Sequence, residues 1–135
     1  MRERQAHIVL IDDDPDMHEV VRLMLEPAGY QVSCYATAAA GEEAIREALP
    51  DLLLLDIMLS TPTEGVALAQ RFRRDPATAR VPIVMVSSAP RSSGLDAVPG
   101  AGEARPDGFL EKPIRAAALH RAVTSVLERS ERVST

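Results

Sequence analysis

The chain has 135 residues, 20 of them acidic and 15 basic, for a net charge of −5. That length suits one domain, and the acidic balance argues against nonspecific nucleic-acid binding, which rests on positive charge. A single cysteine, Cys34, excludes an intrachain disulfide and points to a reducing cytoplasm. The hydrophobic fraction is 46%, but aromatic residues make up only 3% and Trp is absent. The core must therefore be built from Leu, Val, Ile, Met and Ala. No apolar stretch approaches membrane-spanning length, and the residues before Ile8 are polar and charged, with no signal-peptide core. His7, His18 and His120 are scattered and form no metal-ligand spacing.

Taken in order, Ile8–Ile11 reads as a buried strand that ends in Asp12, Asp13 and Asp14. Asp14 before Pro15 predicts a helix start, with Asp as the cap and Pro in the first helical position. Met17, Val20, Val21, Met24 and Leu25 continue at helical spacing, and Pro27 and Gly29 close the helix. Tyr30–Ala36 alternates as a second strand. Thr37–Leu49, rich in Ala and Glu, predicts a helix with Ala44, Ile45 and Ala48 facing inward. Leu52–Leu55 is four consecutive leucines, the pattern of a central strand buried on both faces of a parallel sheet. It ends in Asp56.

A loop over 57–64 follows, then a short helix over Gly65–Arg74 stopped by Asp75 and Pro76. Pro82–Val86 is a further apolar strand, ending in Ser87 and Ser88. Residues 90–108 contain three prolines and four glycines, a composition that predicts at most a short helix within loop. Phe109 and Leu110 form a short strand closed by Glu111, Lys112 and Pro113. Leu119, Ala122, Val123, Val126 and Leu127 fall on one face of a last helix over Arg115–Leu127. The core thus spans about residues 8–127, with 128–135 as a polar tail. Strands alternating with helices predict an α/β domain with a parallel sheet and helices on both faces.

All strands of a parallel sheet end at one edge, which is where ligands bind in open α/β folds. The predicted strands deliver Asp12, Asp13, Asp56, Ser87 and Lys112 to that edge. Clustered carboxylates repel one another and call for a cation. Oxygen ligands suit Mg²⁺, which uses one or two carboxylates with phosphate oxygens. A lysine and a hydroxyl complement phosphoryl oxygens. The set suits transfer of a phosphoryl group onto a carboxylate, with Asp56 as nucleophile.

The segments Ile-Asp-Asp-Asp-Pro-Asp, Pro-Asp-Leu-Leu-Leu-Leu-Asp-Ile-Met, Pro-Ile-Val-Met-Val-Ser-Ser and Phe-Leu-Glu-Lys-Pro resemble the four signatures of response-regulator receiver domains of two-component signalling. The resemblance runs from about Ile8 to Leu127. It implies a flavodoxin-like fold with five parallel strands in the order 2-1-3-4-5. It implies that Asp56 is the phosphoacceptor, with Ser87 and Lys112 on the phosphoryl group. Asp12, Asp13, Asp56 and the backbone carbonyl of Met58 would bind Mg²⁺. Ser87 and Phe109 would form the switch, and the peptide before Pro113 would be cis, which X-Pro bonds permit. The partners implied are a sensor histidine kinase or phosphotransfer protein and a downstream protein. The domain would catalyse nothing beyond its own phosphoryl transfer and dephosphorylation.

Some positions depart from the family pattern. Ser60 stands where proline is usual, Gly65 falls one residue late, and Ser88 replaces a common alanine. Residues 90–108 are longer than usual and lack a clear fourth helix, which belongs to the family's output surface. Three other readings compete. A haloacid-dehalogenase-type enzyme resembles Asp-x-Asp at its nucleophile, but Met58 occupies the second position and supplies no general acid. A flavin-binding flavodoxin needs a phosphate cradle after the first strand, where three aspartates would repel phosphate. A degenerate receiver, acting as a phosphorylation-independent interaction module, is at odds with the complete set of site residues.

In the family, the residues two after the acceptor and two after the hydroxyl flank the path of hydrolytic water. Here they are Met58 and Ala89, whose side chains cannot orient a water. A Met58→Asn, Ala89→Glu variant should therefore lose its phosphoryl group faster than the unmodified chain, as read by the decay of the labelled mass. Equal or slower loss in the variant contradicts this.

Overall fold

The computed structural model describes residues 5–57, 59, 64–87 and 106–134. The expectations for Met58, Ser60, Ser88, Ala89 and residues 90–105 lie outside the described residues.

Ile8–Ile11, preceded by His7, forms β1 (His7–Ile11). The chain continues through α1 (Pro15–Leu25), β2 (Gln31–Tyr35), α2 (Ala38–Glu47), β3 (Leu52–Asp56), α3 (Glu64–Arg74), β4 (Ile83–Ser87), β5 (Gly108–Glu111) and α4 (Ala116–Ser134). All strand pairs are parallel, and the sheet order is β2-β1-β3-β4-β5. This is the flavodoxin-like order anticipated from the resemblance.

The leucine run explains the centre. Side chains alternate across a strand, so a strand with helices on both faces needs an apolar residue at every position. Leu53 and Leu55 join Val9, Ile11, Ile83 and Met85 in one core with Ile45 of α2 and Phe72 of α3. Leu52 and Leu54 join Ile8, Leu10, Val84 and Val86 in the other, with Val21 and Leu25 of α1 and Leu119, Val123 and Val126 of α4.

The helix starts follow local chemistry. Asp14 accepts a hydrogen bond from the Asp16 N–H at 2.9 Å, with Pro15 in the first turn. Thr37 caps α2 by accepting from the Ala40 N–H at 3.1 Å. After α1, a 3-10 turn over Glu26–Ala28 ends at Gly29, whose φ of 100° is left-handed and suits glycine.

Besides shifts of a residue or two at element ends, the inner face of α2 and the end of the last helix differ from the sequence reading. The buried stripe of α2 is Ala38, Gly41 and Ile45, while Ala48 is exposed. Gly41 lies so close to Ile11 that a side chain there would overlap it, which draws the inner face of the helix toward its first half. The last helix runs on to Ser134, where a polar tail was expected from residue 128. Glu128, Arg129, Glu131 and Arg132 are good helix formers, and no Gly or Pro interrupts them.

Gly65 carries the most demanding backbone approach. A Cβ there would fall well inside contact distance of the carbonyl oxygens of Asp56 and Ile57. These are backbone atoms at the end of the central strand and just beyond it, and they cannot swing aside as a side chain would. Gly65→Ala should therefore destabilise the domain by about 1–3 kcal/mol, read as a lower urea midpoint. An unchanged midpoint would show that α3 is free to move off β3.

Candidate phosphoryl-acceptor site

The five residues expected at the carboxyl edge are positioned by four strands. Asp56 is the last residue of β3, and its register partner on β4 is Val86. Ser87 therefore lies one residue further along the neighbouring strand. Lys112 follows β5, and its N–H donates to the Ser87 carbonyl at 2.8 Å. Asp12 follows β1, and its N–H donates to the Tyr35 carbonyl at 3.0 Å. The sequence separation of these side chains is large, but the parallel register removes it.

Single ligand oxygens of Asp12, Asp13 and Asp56 all lie within 4.8 Å of one another. Burial is unequal. Asp12 is fully buried and Asp56 is 4% exposed, whereas Asp13 is open to solvent. The Lys112 ammonium reaches into the group, 3.2 Å from Asp12 Oδ2 and 3.4 Å from Asp56 Oδ2. The Asp56 contact is also a hydrogen bond. Burial opposes the Lys112 charge, yet the two carboxylates outweigh it and hold the ammonium above the usual lysine range.

The two oxygens of Asp12 have different fates. Oδ1 accepts from the Asp14 N–H at 2.9 Å, tying the carboxylate to the start of α1. Oδ2 is buried, and the cation beside it is the Lys112 ammonium at 3.2 Å, which it shares with Asp56. One shared ammonium only partly offsets a buried carboxylate, and the neighbours of Asp12 are two further carboxylates. An oxygen-seeking divalent cation fits this donor set.

Ser87 is buried at the end of β4. Phe109, paired with Met85, is half-buried against the core that α2 and α3 cover. The Lys112–Pro113 peptide is cis, as anticipated. Met58 lies outside the described residues, so the expected carbonyl ligand is not located. The sequence reading missed His18. From the first turns of α1 its Nε2–H donates to the Asp12 carbonyl at 2.6 Å, fixing the backbone of the buried aspartate. The clue was the helical phase set by Pro15, which turns position 18 back toward the strand end.

Residues 8–124 match the family model described as "Response regulator receiver domain". Over 125 residues the chain is 36% identical to the transcriptional regulatory protein CseB of Streptomyces coelicolor, covering 93% of this chain and 50% of that protein. It is 31% identical over 123 residues to the phosphate regulon transcriptional regulatory protein PhoB of Pseudomonas aeruginosa, covering 91% and 52%. The chain thus spans about half the length of these relatives. Among solved structures it is similar to a CheY-like receiver domain protein from Methanospirillum hungatei, with a TM-score of 0.83, 25% identity and coverage of 96% and 98%. A sensor protein from Polaromonas gives a TM-score of 0.83 at 27% identity, covering 94% and 99%. With the strand order, the acidic edge and the family match in agreement, the chain belongs to the response-regulator receiver domains of two-component signalling.

Proposed function

We propose that this domain is a phosphorylation-controlled switch whose acceptor is Asp56. The observation that carries the reading is the gathering of Asp12, Asp13 and Asp56 within 4.8 Å, with the Lys112 ammonium against two of them. A sensor histidine kinase or a phosphotransfer protein donates the phosphoryl group. An Asp56 carboxylate oxygen attacks phosphorus in line, a P–O bond forms, and the bond to the donor breaks.

Asp12, Asp13 and Asp56 would hold Mg²⁺, together with a carbonyl that the family places at Met58. When bound, the ion neutralises the carboxylates and offsets charge on the phosphoryl oxygens. Lys112 now bonds Asp56 Oδ2; on phosphorylation it transfers that contact to a phosphoryl oxygen. The Ser87 hydroxyl contributes a donor from β4. Ser87 and Phe109 then carry the change to a protein-binding surface. Moving a switch from 1:99 to 99:1 takes about 5.5 kcal/mol of differential interaction, a magnitude within reach of a new dianion with a lysine and a hydroxyl.

No described helix is long and apolar enough to cross a membrane; a cytoplasmic place is what membership of the receiver family supports. The relatives named as transcriptional regulators suggest an output in transcription. The net charge of −5 favours exerting it through protein contact rather than by this domain gripping DNA. A phosphorylation-independent interaction module is the weaker reading, because no member of the acceptor set is replaced.

Incubation with acetyl phosphate should add one phosphoryl mass to Asp56 in the presence of Mg²⁺ and little in its absence. Asp56→Ala should abolish the addition. Labelling of that variant at the unmodified rate would falsify the assignment.

A further inference from the structure

The opposite edge of the sheet holds a second charged cluster, built around Arg73 and Asp107. Arg73 lies in the last turn of α3, yet its side chain is only 8% exposed. Its guanidinium donates to the Ala79 carbonyl at 2.9 Å, the Val81 carbonyl at 2.8 Å and Asp107 Oδ2 at 2.8 Å. The same Asp107 oxygen accepts from the Ile83 N–H at 2.8 Å. The Asp107 N–H donates to the Ile83 carbonyl at 2.7 Å. From α4, Arg129 donates to the Asp107 carbonyl at 2.7 Å. One aspartate thus joins α3, the entry to β4, the entry to β5 and the last helix.

The position matters because of what β5 is. It is an edge strand of four residues, Gly108–Glu111, paired on one side with β4. It begins immediately after Asp107, and its exit delivers Lys112 to the acceptor edge. Its far end is held by the Lys112 N–H to Ser87 carbonyl bond. A short edge strand has little burial of its own to fix its register. A charge-assisted contact at its entry, from a guanidinium that also grips the carbonyls of Ala79 and Val81, supplies what the strand lacks.

We propose that Arg73 and Asp107 are positioning residues for the phosphoryl reaction: they clamp the register of β5 on β4 and thereby place the Lys112 ammonium against Asp56. The inference rests on the acceptor reading above. It adds that acceptor geometry is set in part from the edge of the sheet that takes no part in the chemistry.

The test compares the full chain with Asp107→Ala, Arg73→Lys and a control, Val32→Ala, which weakens the core from the opposite edge strand. Two readouts are needed: amide hydrogen exchange, and the rate of labelling by acetyl phosphate at saturating Mg²⁺. Asp107→Ala should speed exchange of the Lys112 amide roughly tenfold more than that of β1 amides. It should slow labelling roughly tenfold or more, because small displacements of a reacting group are costly, while Mg²⁺ affinity stays within about twofold. Arg73→Lys keeps the charge but loses the planar guanidinium that bonds Ala79, Val81 and Asp107 together, and should fall in the same direction by less. Val32→Ala should show no preference for β5 and should label normally. If Lys112 protection falls only in step with β1, or labelling by Asp107→Ala is unchanged, the clamp has a merely structural role and the proposal is overturned. Failure of the unmodified chain to label at Asp56 would refute the acceptor reading, and the exchange comparison would still decide the clamp.

Discussion

Two carboxylates withdrawn from water, Asp12 and Asp56, face a single ammonium, and the carboxyl edge of the molecule is arranged around that imbalance. Charges about 4 Å apart interact by about 4 kcal/mol at an effective dielectric near 20. Lys112 attracts both carboxylates, but they repel each other, and Asp13 adds a third negative charge at the rim. Three carboxylates and one ammonium leave a net charge of −2, which is the charge a divalent cation cancels. The Lys112 ammonium, shared at 3.2 and 3.4 Å between the Oδ2 atoms of Asp12 and Asp56, is the structural trace of the same imbalance. A site held in this state is under tension that a cation can relieve.

The rest of the fold holds the tension in place. Carboxylates this close would separate if their backbones were free. Instead Asp12 is anchored through its N–H to β2, through its carbonyl to His18 and through Oδ1 to the start of α1. Asp56 ends a strand whose leucines are buried on both faces. Its carbonyl lies under Gly65, where no larger residue fits without displacement. Lys112 comes from the least supported strand, and that strand is tied at its entry by Asp107 and at its exit by Ser87.

Much of this was legible in the sequence because the signals were local and mutually consistent. Apolar runs at Ile8–Ile11, Leu52–Leu55 and Ile83–Val86 allow little but buried parallel strands, and each ends in a residue of the site. The Asp14–Pro15 start of α1 follows from two adjacent residues. What escaped was non-local. The inward face of α2 depends on how close Ile11 comes to Gly41, which no periodicity encodes. His18 gained a partner six residues back only once the chain had turned. Arg73 and Asp107 are 34 residues apart, and each alone looks like an ordinary surface charge. The helix over 128–134 follows propensity, which a search for an apolar stripe passes over.

Electrostatic tension among Asp12, Asp13 and Asp56 should make the site a receptor for a divalent cation. The most direct measurement is the melting temperature of the unmodified chain and of Asp12→Asn, in chelator and across a Mg²⁺ titration. A ligand that binds only the folded state adds about 2.7 kcal/mol of stability at a hundred times its Kd, so the unmodified chain should melt several degrees higher in saturating Mg²⁺. Asp12→Asn removes one of the opposed charges; it should melt higher than the unmodified chain in chelator and lose most of the Mg²⁺-dependent rise. A melting temperature indifferent to Mg²⁺ in the unmodified chain, together with a lower one for Asp12→Asn in chelator, would mean that these carboxylates are not opposed and form no cation site.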